Sequence, residues 1–96
     1  MKPDVIDSPD ERTYVLNEGT LSRIKKFEED VNEFIRDDQR DLIIDLSMVA
    51  KLDSMSLAAM IRIKNKLDAD GRNLKLINIS EDILTVIKLA GLESLL

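Results

Sequence analysis

The chain has 96 residues, no cysteine, no histidine and a formal net charge of −5. This composition excludes disulfides, thiolate chemistry, the usual zinc sites and an imidazole base, and it disfavours nucleic acid or an anionic membrane as the main partner. No apolar run approaches the roughly 18 residues of a membrane span, and the N-terminus lacks the apolar stretch of a signal peptide. We therefore expect one cytoplasmic domain, residues 1–96, without a cofactor or direct membrane insertion.

Two short strands are predicted at the start of the chain. Residues 1–6 form an edge strand, and residues 8–11 form the turn that ends it. Residues 13–16 form a second strand that makes a hairpin with the first. Residues 17–19, which include asparagine and glycine, are predicted to be the turn that closes this strand.

A surface helix is predicted to follow. From Leu21 to Ile35 apolar residues recur at steps of three and four, and charged residues fill the positions between them. The helix is predicted to be capped by Thr20 or Ser22 and to cover the sheet. Residues 37–40 form its exit loop.

The centre of the chain combines a strand, a polar loop and an amphipathic helix. Residues 41–46 form a short apolar run with acids near its ends, which predicts a strand buried on both faces. Residues 57–67 carry an apolar stripe at helical spacing. Ser54 and Ser56 are both candidate N-caps, because a side-chain oxygen there can accept a hydrogen bond from a free first-turn N–H group.

The C-terminal part repeats the alternation of strand and helix. Gly71 is predicted to take the left-handed conformation that ends the central helix, and residues 74–79 form the next strand. Ser80 is the expected N-cap of the last helix, which Gly91 ends. Its apolar stripe is predicted to consist of Ile83, Leu84, Ile87 and Ala90.

This order of elements predicts an α/β fold. Successive strand–helix–strand units give a small, mostly parallel or mixed sheet of about four strands with helices packed against it. Loops at the C-terminal ends of the strands are the expected functional edge. The loop at residues 46–56 lies there.

The central motif resembles a STAS domain, the type found in bacterial anti-sigma factor antagonists and in sulfate transporter tails. The resemblance extends without an evident gap over residues 42–92. The matching residues are Asp45-Leu46-Ser47, Val49, Asp53-Ser54, Leu57, Gly71 and Ala90-Gly91-Leu92. Upstream, Gly19-Thr20-Leu21-Ser22 resembles a Gly-acid-Leu-Asp segment of the family.

The resemblance implies a partner-switching role. Ser54 falls on the serine that a partner kinase phosphorylates in anti-sigma factor antagonists, and Asp53 falls on its usual neighbour. The unmodified domain would bind an anti-sigma factor that is also the serine kinase, phosphorylation would break that complex, and a phosphatase would reset it. The predicted partner-binding residues are Ser22, Met48, Asp53, Ser54, Met55 and Ser56.

The sequence departs from the antagonist pattern at two places. Met55 and Ser56 replace a Ser-Gly pair, and Ser22 stands where an acid is common. Two alternatives stay open. One is a small cytoplasmic STAS subunit that docks on the ATPase of a phospholipid-transport ABC system, and the other is a structural scaffold module that is not phosphorylated.

The same residues also have simpler interpretations. Ser54 could serve only as a helix cap, Asp53 could be a loop acid or share the cap, and Ser56 could be a first-turn helix residue. Met48 and Met55 could pack in the core or form an adaptable apolar contact. We predict no catalytic activity, because the three glycines lie far apart and cannot form a phosphate-binding loop, and the acid pairs lack a partner base.

Overall fold

The computed structural model describes residues 3–96. The start of the predicted first strand, residues 1 and 2, lies outside the described residues. The strands are β1 (Asp4–Asp7), β2 (Glu11–Val15), β3 (Asp41–Asp45) and β4 (Leu74–Ile77). The helices are α1 (Glu18–Ser22), α2 (Ile24–Asp37), α3 (Ser54–Ala69) and α4 (Glu81–Leu89), followed by a 3₁₀ turn at Glu93–Leu95. No helix among these residues is long and apolar enough to cross a bilayer.

The strands form one mixed sheet in the order β1-β2-β3-β4. β1 pairs with β2 in antiparallel fashion, while β2, β3 and β4 are parallel. The predicted hairpin and the predicted parallel crossovers are therefore confirmed. Each crossover contains a helix, because a chain that must pair in parallel has to return to the starting end of the sheet.

The helices cover a single face of the sheet. Tyr14, Ile44 and Leu76 lie side by side in the parallel register and are buried, whereas Ile43, which points to the other face, is only partly buried. The prediction that β3 is buried on both faces is therefore wrong. Complete burial of a side chain such as Ile44 contributes about 1.5–3 kcal/mol, so the helix-covered face supplies most of the sheet's hydrophobic stabilisation.

The three aromatic residues tie α2 to the sheet. The Tyr14 ring meets Phe27 edge-on at a centroid distance of 5.4 Å and Phe34 at 6.3 Å. Such pairs each add about 0.5–1.5 kcal/mol beyond the burial of area. Burial also raises the pKa of Tyr14.

The first helical segment begins earlier than expected. Asn17 is the N-cap of α1, since its Oδ1 accepts the Thr20 N–H at 2.8 Å and the Thr20 hydroxyl accepts the Asn17 N–H at 3.4 Å. This reciprocal pair is a capping box, so both the predicted turn at residues 17–19 and the predicted caps Thr20 and Ser22 are wrong. Arg23, at φ −124°, interrupts the helix, and α2 starts at Ile24.

A buried arginine binds several backbone carbonyls at the N-terminal ends of the parallel strands. Arg72 is 7% exposed, and its Nη1 donates to the carbonyls of Asp38 at 2.7 Å and Arg40 at 3.0 Å. Its Nη2 donates to the Ile35 carbonyl and to the Asp70 carboxylate. One guanidinium thus satisfies carbonyls at the end of α2 and in the loop before β3.

Three residues with positive φ end elements of the C-terminal half. Gly71 (φ 70°) follows α3 and Gly91 (φ 72°) follows α4, as predicted. Asn78, at φ 55°, directly follows β4, which therefore stops at Ile77 instead of continuing to Ile79. Asparagine tolerates this conformation better than most residues that carry a side chain.

Candidate functional site

The loop between β3 and α3 is anchored by a buried apolar side chain at every third position. Leu46 is 1% exposed, Val49 4% and Leu52 9%. The Leu46 N–H donates to the Ile77 carbonyl at 3.0 Å, and the Val49 N–H donates to the Leu46 carbonyl at 3.1 Å. These contacts fix the conformation of the loop, and the residues between the buried positions point outward.

Two carboxylates bind the loop to its neighbours. Asp45 accepts hydrogen bonds from the Ser47 N–H at 2.8 Å and from the Asn78 side-chain amide at 3.2 Å. Burial alone would raise the pKa of Asp45, but these hydrogen bonds outweigh it and the net pKa is lowered. On α1, Glu18 accepts the Ala50 N–H at 3.3 Å, a contact that the sequence analysis missed because it joins residues far apart in the chain.

Asp53 is the N-cap of α3. Its backbone is extended, and its Oδ1 accepts the Ser56 N–H at 2.8 Å. This hydrogen bond lowers the pKa of the carboxyl group. Ser54 and Ser56, the caps predicted from sequence, are instead the first and third helical residues. An ionised aspartate also suits this position because it complements the positive end of the helix dipole.

The three residues after the cap differ sharply in accessibility. Ser54 is exposed, and Met55 is 60% exposed. Ser56 is fully buried, and its hydroxyl finds no hydrogen-bond partner within residues 3–96. A partner that docks on this surface can therefore touch Ser54 and Met55 directly, whereas Ser56 lies beneath them.

An open cavity of about 420 Å³ lies on the α1 side of the loop. Ser22 and Asp53 contribute to its wall, together with Glu18 and Lys51. The Ser22 hydroxyl donates to the Gly19 carbonyl at 2.9 Å. The fold thus brings Ser22 to the same cavity as the capping aspartate, although 31 positions separate them in the chain.

A second cavity, of about 200 Å³, lies on the other side of the loop against α4. Val86 lines it and is 38% exposed, and Leu89, also on α4, is 83% exposed. Met48 on the loop is 64% exposed. The sequence analysis missed both α4 residues, although an apolar residue outside the stripe of Ile83 and Ile87 is a recognisable signal.

The chemistry of this region is that of a recognition surface. It offers exposed serine hydroxyls, two exposed methionines, and a mixture of carboxylates and one lysine around open cavities. Within residues 3–96, no group of three or more acidic side chains is arranged to hold a metal ion.

The sequence matches the STAS domain family over residues 18–96. The chain belongs to this family. No protein of curated function matches the sequence. The match covers the cavity at α1, the loop, the start of α3 and all of α4, so every part of the candidate site falls inside the STAS domain.

Solved structures share the fold of this STAS domain. The solution structure of the protein TM1081 has a TM-score of 0.87 and 20% identity, covering 100% of this chain and 78% of that chain. A crystal structure of the same Thermotoga maritima protein, described as a candidate anti-sigma factor antagonist, has a TM-score of 0.80 and 22% identity, with coverage of 98% and 82%. A serine-to-glutamate variant of RsbS from Moorella thermoacetica has a TM-score of 0.85 and 18% identity, with coverage of 97% and 80%.

Proposed function

We propose that this STAS domain is an anti-sigma factor antagonist that acts by partner switching. With Ser54 unmodified, it binds an anti-sigma factor that is also a serine kinase. Phosphorylation of Ser54 releases that partner, and a phosphatase restores the binding form. The domain is a binding module in this scheme, and the phosphoryl-transfer chemistry belongs to its partners.

The observation that carries the proposal is the position of Ser54. It is exposed at the first position of a 16-residue helix, and Asp53 already supplies the N-cap. The simplest structural role for Ser54, that of a cap, is therefore taken by its neighbour. A hydroxyl that is exposed and not used for capping can be modified without unfolding the helix.

The electrostatics of the site allow a local switch. A phosphate on Ser54 would add a charge of roughly −1.5 to −2 at the positive end of the α3 dipole, which favours the folded state. The same charge would stand beside the ionised Asp53 on a protein that already carries −5. A partner that buries Ser54 would have to desolvate this charge, so modification weakens the complex and leaves the domain folded.

The partner surface surrounds Ser54. Met48 and Met55 are exposed and flexible, so they can adapt to an apolar partner surface. Ser22 and Asp53 border the adjacent cavity. The switch and the contact surface are therefore continuous, which is what allows one phosphate to control binding.

The test is a pull-down from the native cell extract with wild type, Ser54→Ala and Ser54→Asp, followed by mass spectrometry of bound proteins and of Ser54. Wild type and Ser54→Ala should recover an anti-sigma factor kinase, and wild-type Ser54 should carry phosphate. Ser54→Asp should recover at least about tenfold less, because its charge must be desolvated at the interface. Ser94→Asp, an exposed serine in the 3₁₀ turn, is the matched control and should bind like wild type.

Other results would contradict the proposal. Recovery of a transport ATPase with all variants and unmodified Ser54 would establish the docking role in a lipid-transport ABC system. Equal recovery of one partner by Ser54→Asp and Ser54→Ala, again with no phosphate, would favour a structural scaffold. Equal losses for Ser94→Asp and Ser54→Asp would show that added charge acts non-specifically.

A further inference from the structure

Two exposed methionines lie on either side of Ser54 in the chain. Met48 is in the β3–α3 loop and is 64% exposed, and Met55 is the second residue of α3 and is 60% exposed. Met60, five positions further along α3, is fully buried. Met1 lies outside the described residues. The fold therefore sorts the described methionines into two that solvent reaches at the candidate site and one that it does not reach.

The local structure keeps both exposed thioethers on the surface. Met48 is held between Leu46 and Val49, which are buried, and the Val49 N–H donates to the Leu46 carbonyl at 3.1 Å. Met55 precedes the buried Ser56, whose N–H donates to the helix cap at 2.8 Å. Because these buried neighbours fix the backbone, neither methionine side chain can enter the core without breaking the contacts.

The thioether is the group of this chain that a peroxide oxidises most readily. The sequence contains no cysteine, whose thiolate would react first, and no tryptophan. A sulfur lone pair attacks one oxygen of hydrogen peroxide, the O–O bond breaks, and a sulfur–oxygen bond forms. The sulfur is oxidised by two electrons to the sulfoxide, and the second peroxide oxygen leaves as water with both protons. Exposure governs the rate, so Met48 and Met55 react before Met60.

Oxidation changes what these side chains can bind. A thioether is apolar and adapts to an irregular apolar surface, whereas a sulfoxide carries a strong hydrogen-bond acceptor. Burying that oxygen at an interface without a donor costs free energy. The modification adds no charge, so it acts through an unsatisfied hydrogen bond and not through the electrostatics that govern a phosphate on Ser54.

We propose that Met48 and Met55 form a peroxide-sensitive modification site, and that their conversion to sulfoxides weakens the binding of the partner that docks at Ser54. This inference rests on the proposed function, because it takes the Ser54 surface as the place where the partner docks. Methionine sulfoxide reductases reverse the modification: two thiols are oxidised to a disulfide, and the sulfoxide oxygen leaves as water. Phosphate and peroxide are thus two independent inputs to one surface.

The first test measures the oxidation itself. The full chain is treated with hydrogen peroxide, samples are quenched with catalase, and tandem mass spectrometry of tryptic peptides follows each methionine. We expect Met48 and Met55 to oxidise at least about tenfold faster than Met60, because Met60 reacts only when its surroundings open. In urea that unfolds the chain, the three rates should become equal. Equal rates in the folded chain would overturn the proposal.

The second test measures binding, with all peroxide removed by catalase before the native cell extract is added. Oxidised wild type should recover about tenfold less of the partner than untreated wild type, because the sulfoxide oxygens lack donors at the interface. Methionine sulfoxide reductases A and B with dithiothreitol should restore the recovery. The circular dichroism of the oxidised chain should be unchanged, since both reactive side chains are exposed.

Leucine substitutions assign the loss to particular sulfurs. The double variant Met48→Leu with Met55→Leu keeps apolar side chains without a reactive sulfur, so it should recover the same amount of partner before and after peroxide. Met60→Leu is the matched buried control and should be as sensitive to peroxide as wild type. Met55→Gln is polar and uncharged without oxidation, and it should bind more weakly than Met55→Leu when no peroxide is used.

Several results would contradict this inference. These are unchanged recovery after full oxidation of Met48 and Met55, a loss that persists in the double leucine variant, and a loss that the reductases do not reverse. If Ser54→Asp loses the partner while oxidised wild type retains it, the methionine inference fails and the proposed function stands. If oxidation instead releases a transport ATPase and Ser54 carries no phosphate, the proposed function fails and the peroxide sensitivity stands. Recovery of no partner by untreated wild type would contradict both.

Discussion

The two ends of the parallel strands differ in what their charged side chains do. At the N-terminal ends, arginine side chains make hydrogen bonds and ion pairs within the domain. At the C-terminal ends, carboxylates accept hydrogen bonds from backbone N–H groups, and neighbouring side chains stay exposed. Arg72 binds three carbonyls, and Arg40 pairs with Asp38 at 2.9 Å and Asp7 at 3.1 Å. At the other end, Asp53 holds the start of α3 while Ser54 stays exposed. The N-terminal ends of the strands are therefore held together by internal contacts, whereas the C-terminal ends leave a surface that a partner can reach.

The largest change in stability is expected at the N-terminal ends of the parallel strands, where Arg72 lies. Arg72→Met should lower the free energy of unfolding by about 3 kcal/mol, because it leaves buried carbonyls of Ile35, Asp38 and Arg40 without their charged donor. Urea denaturation followed by circular dichroism measures the loss. Arg36→Met removes an exposed arginine of the same helix region and should change stability by less than about 0.5 kcal/mol. Equal losses for the two variants would show that Arg72 is not a special anchor.

A smaller change in stability is expected at the C-terminal ends of the strands, where Asp53 caps α3. Asp53→Ala removes the N-cap of α3 and should cost about 1 kcal/mol of stability, while Asp53→Asn keeps a capping oxygen and should cost much less. The same denaturation experiment compares them. If Asn costs as much as Ala, the negative charge and not the hydrogen bond to Ser56 holds the helix start.

The smallest effect, and the one that compares the two ends directly, is the response to acid. Hydrogen bonds from Arg40 hold the pKa of Asp38 well below its usual range, and the Ser56 N–H lowers the pKa of Asp53 less strongly. A carboxylate whose folded pKa is depressed stabilises the fold above its unfolded pKa of about 4, and the contribution is lost as pH falls through the folded value. Stability should therefore decline progressively below about pH 4.

Asparagine substitutions assign this decline to particular groups. Asp38→Asn should flatten the acid limb of the stability curve more than Asp53→Asn does, because the shift at Asp38 is larger. The measurement is the urea midpoint as a function of pH for wild type and both variants. If the stability of either variant fell more steeply with decreasing pH than that of wild type, the carboxylate it lacks would not be one that stabilises the fold when ionised.

Much of the fold could be predicted from local patterns. The order of strands and helices, the β1–β2 hairpin and the parallel crossovers follow from the change between period 2 and period 3.6 along the chain. The left-handed glycines after α3 and α4 follow from their positions beyond the apolar stripes. The STAS resemblance, carried by the β3–loop–α3 segment, is confirmed by the family match over residues 18–96.

The starts of α1 and α3 were predicted less well than the start of α4, where Ser80 is the N-cap as predicted. Asn17, Thr20 and Ser22 are all chemically able to cap α1, and Asp53, Ser54 and Ser56 are all able to cap α3. Which one caps depends on where the backbone turns from extended to helical. For α3 this point is set by the buried loop residues that precede it, and the local sequence does not specify their burial.

By itself, the sequence determined the α/β architecture, the family and the segment that carries the candidate switch, because these depend on periodicity and on short motifs. Only the tertiary structure decided that Asp53 caps α3 and leaves Ser54 exposed, and that Arg72 binds backbone carbonyls at the opposite end of the parallel strands. Each of these facts rests on how separate elements pack together. In the case of Arg72, the three carbonyls that accept its hydrogen bonds lie 32 to 37 positions away in the chain, and no local pattern encodes such contacts.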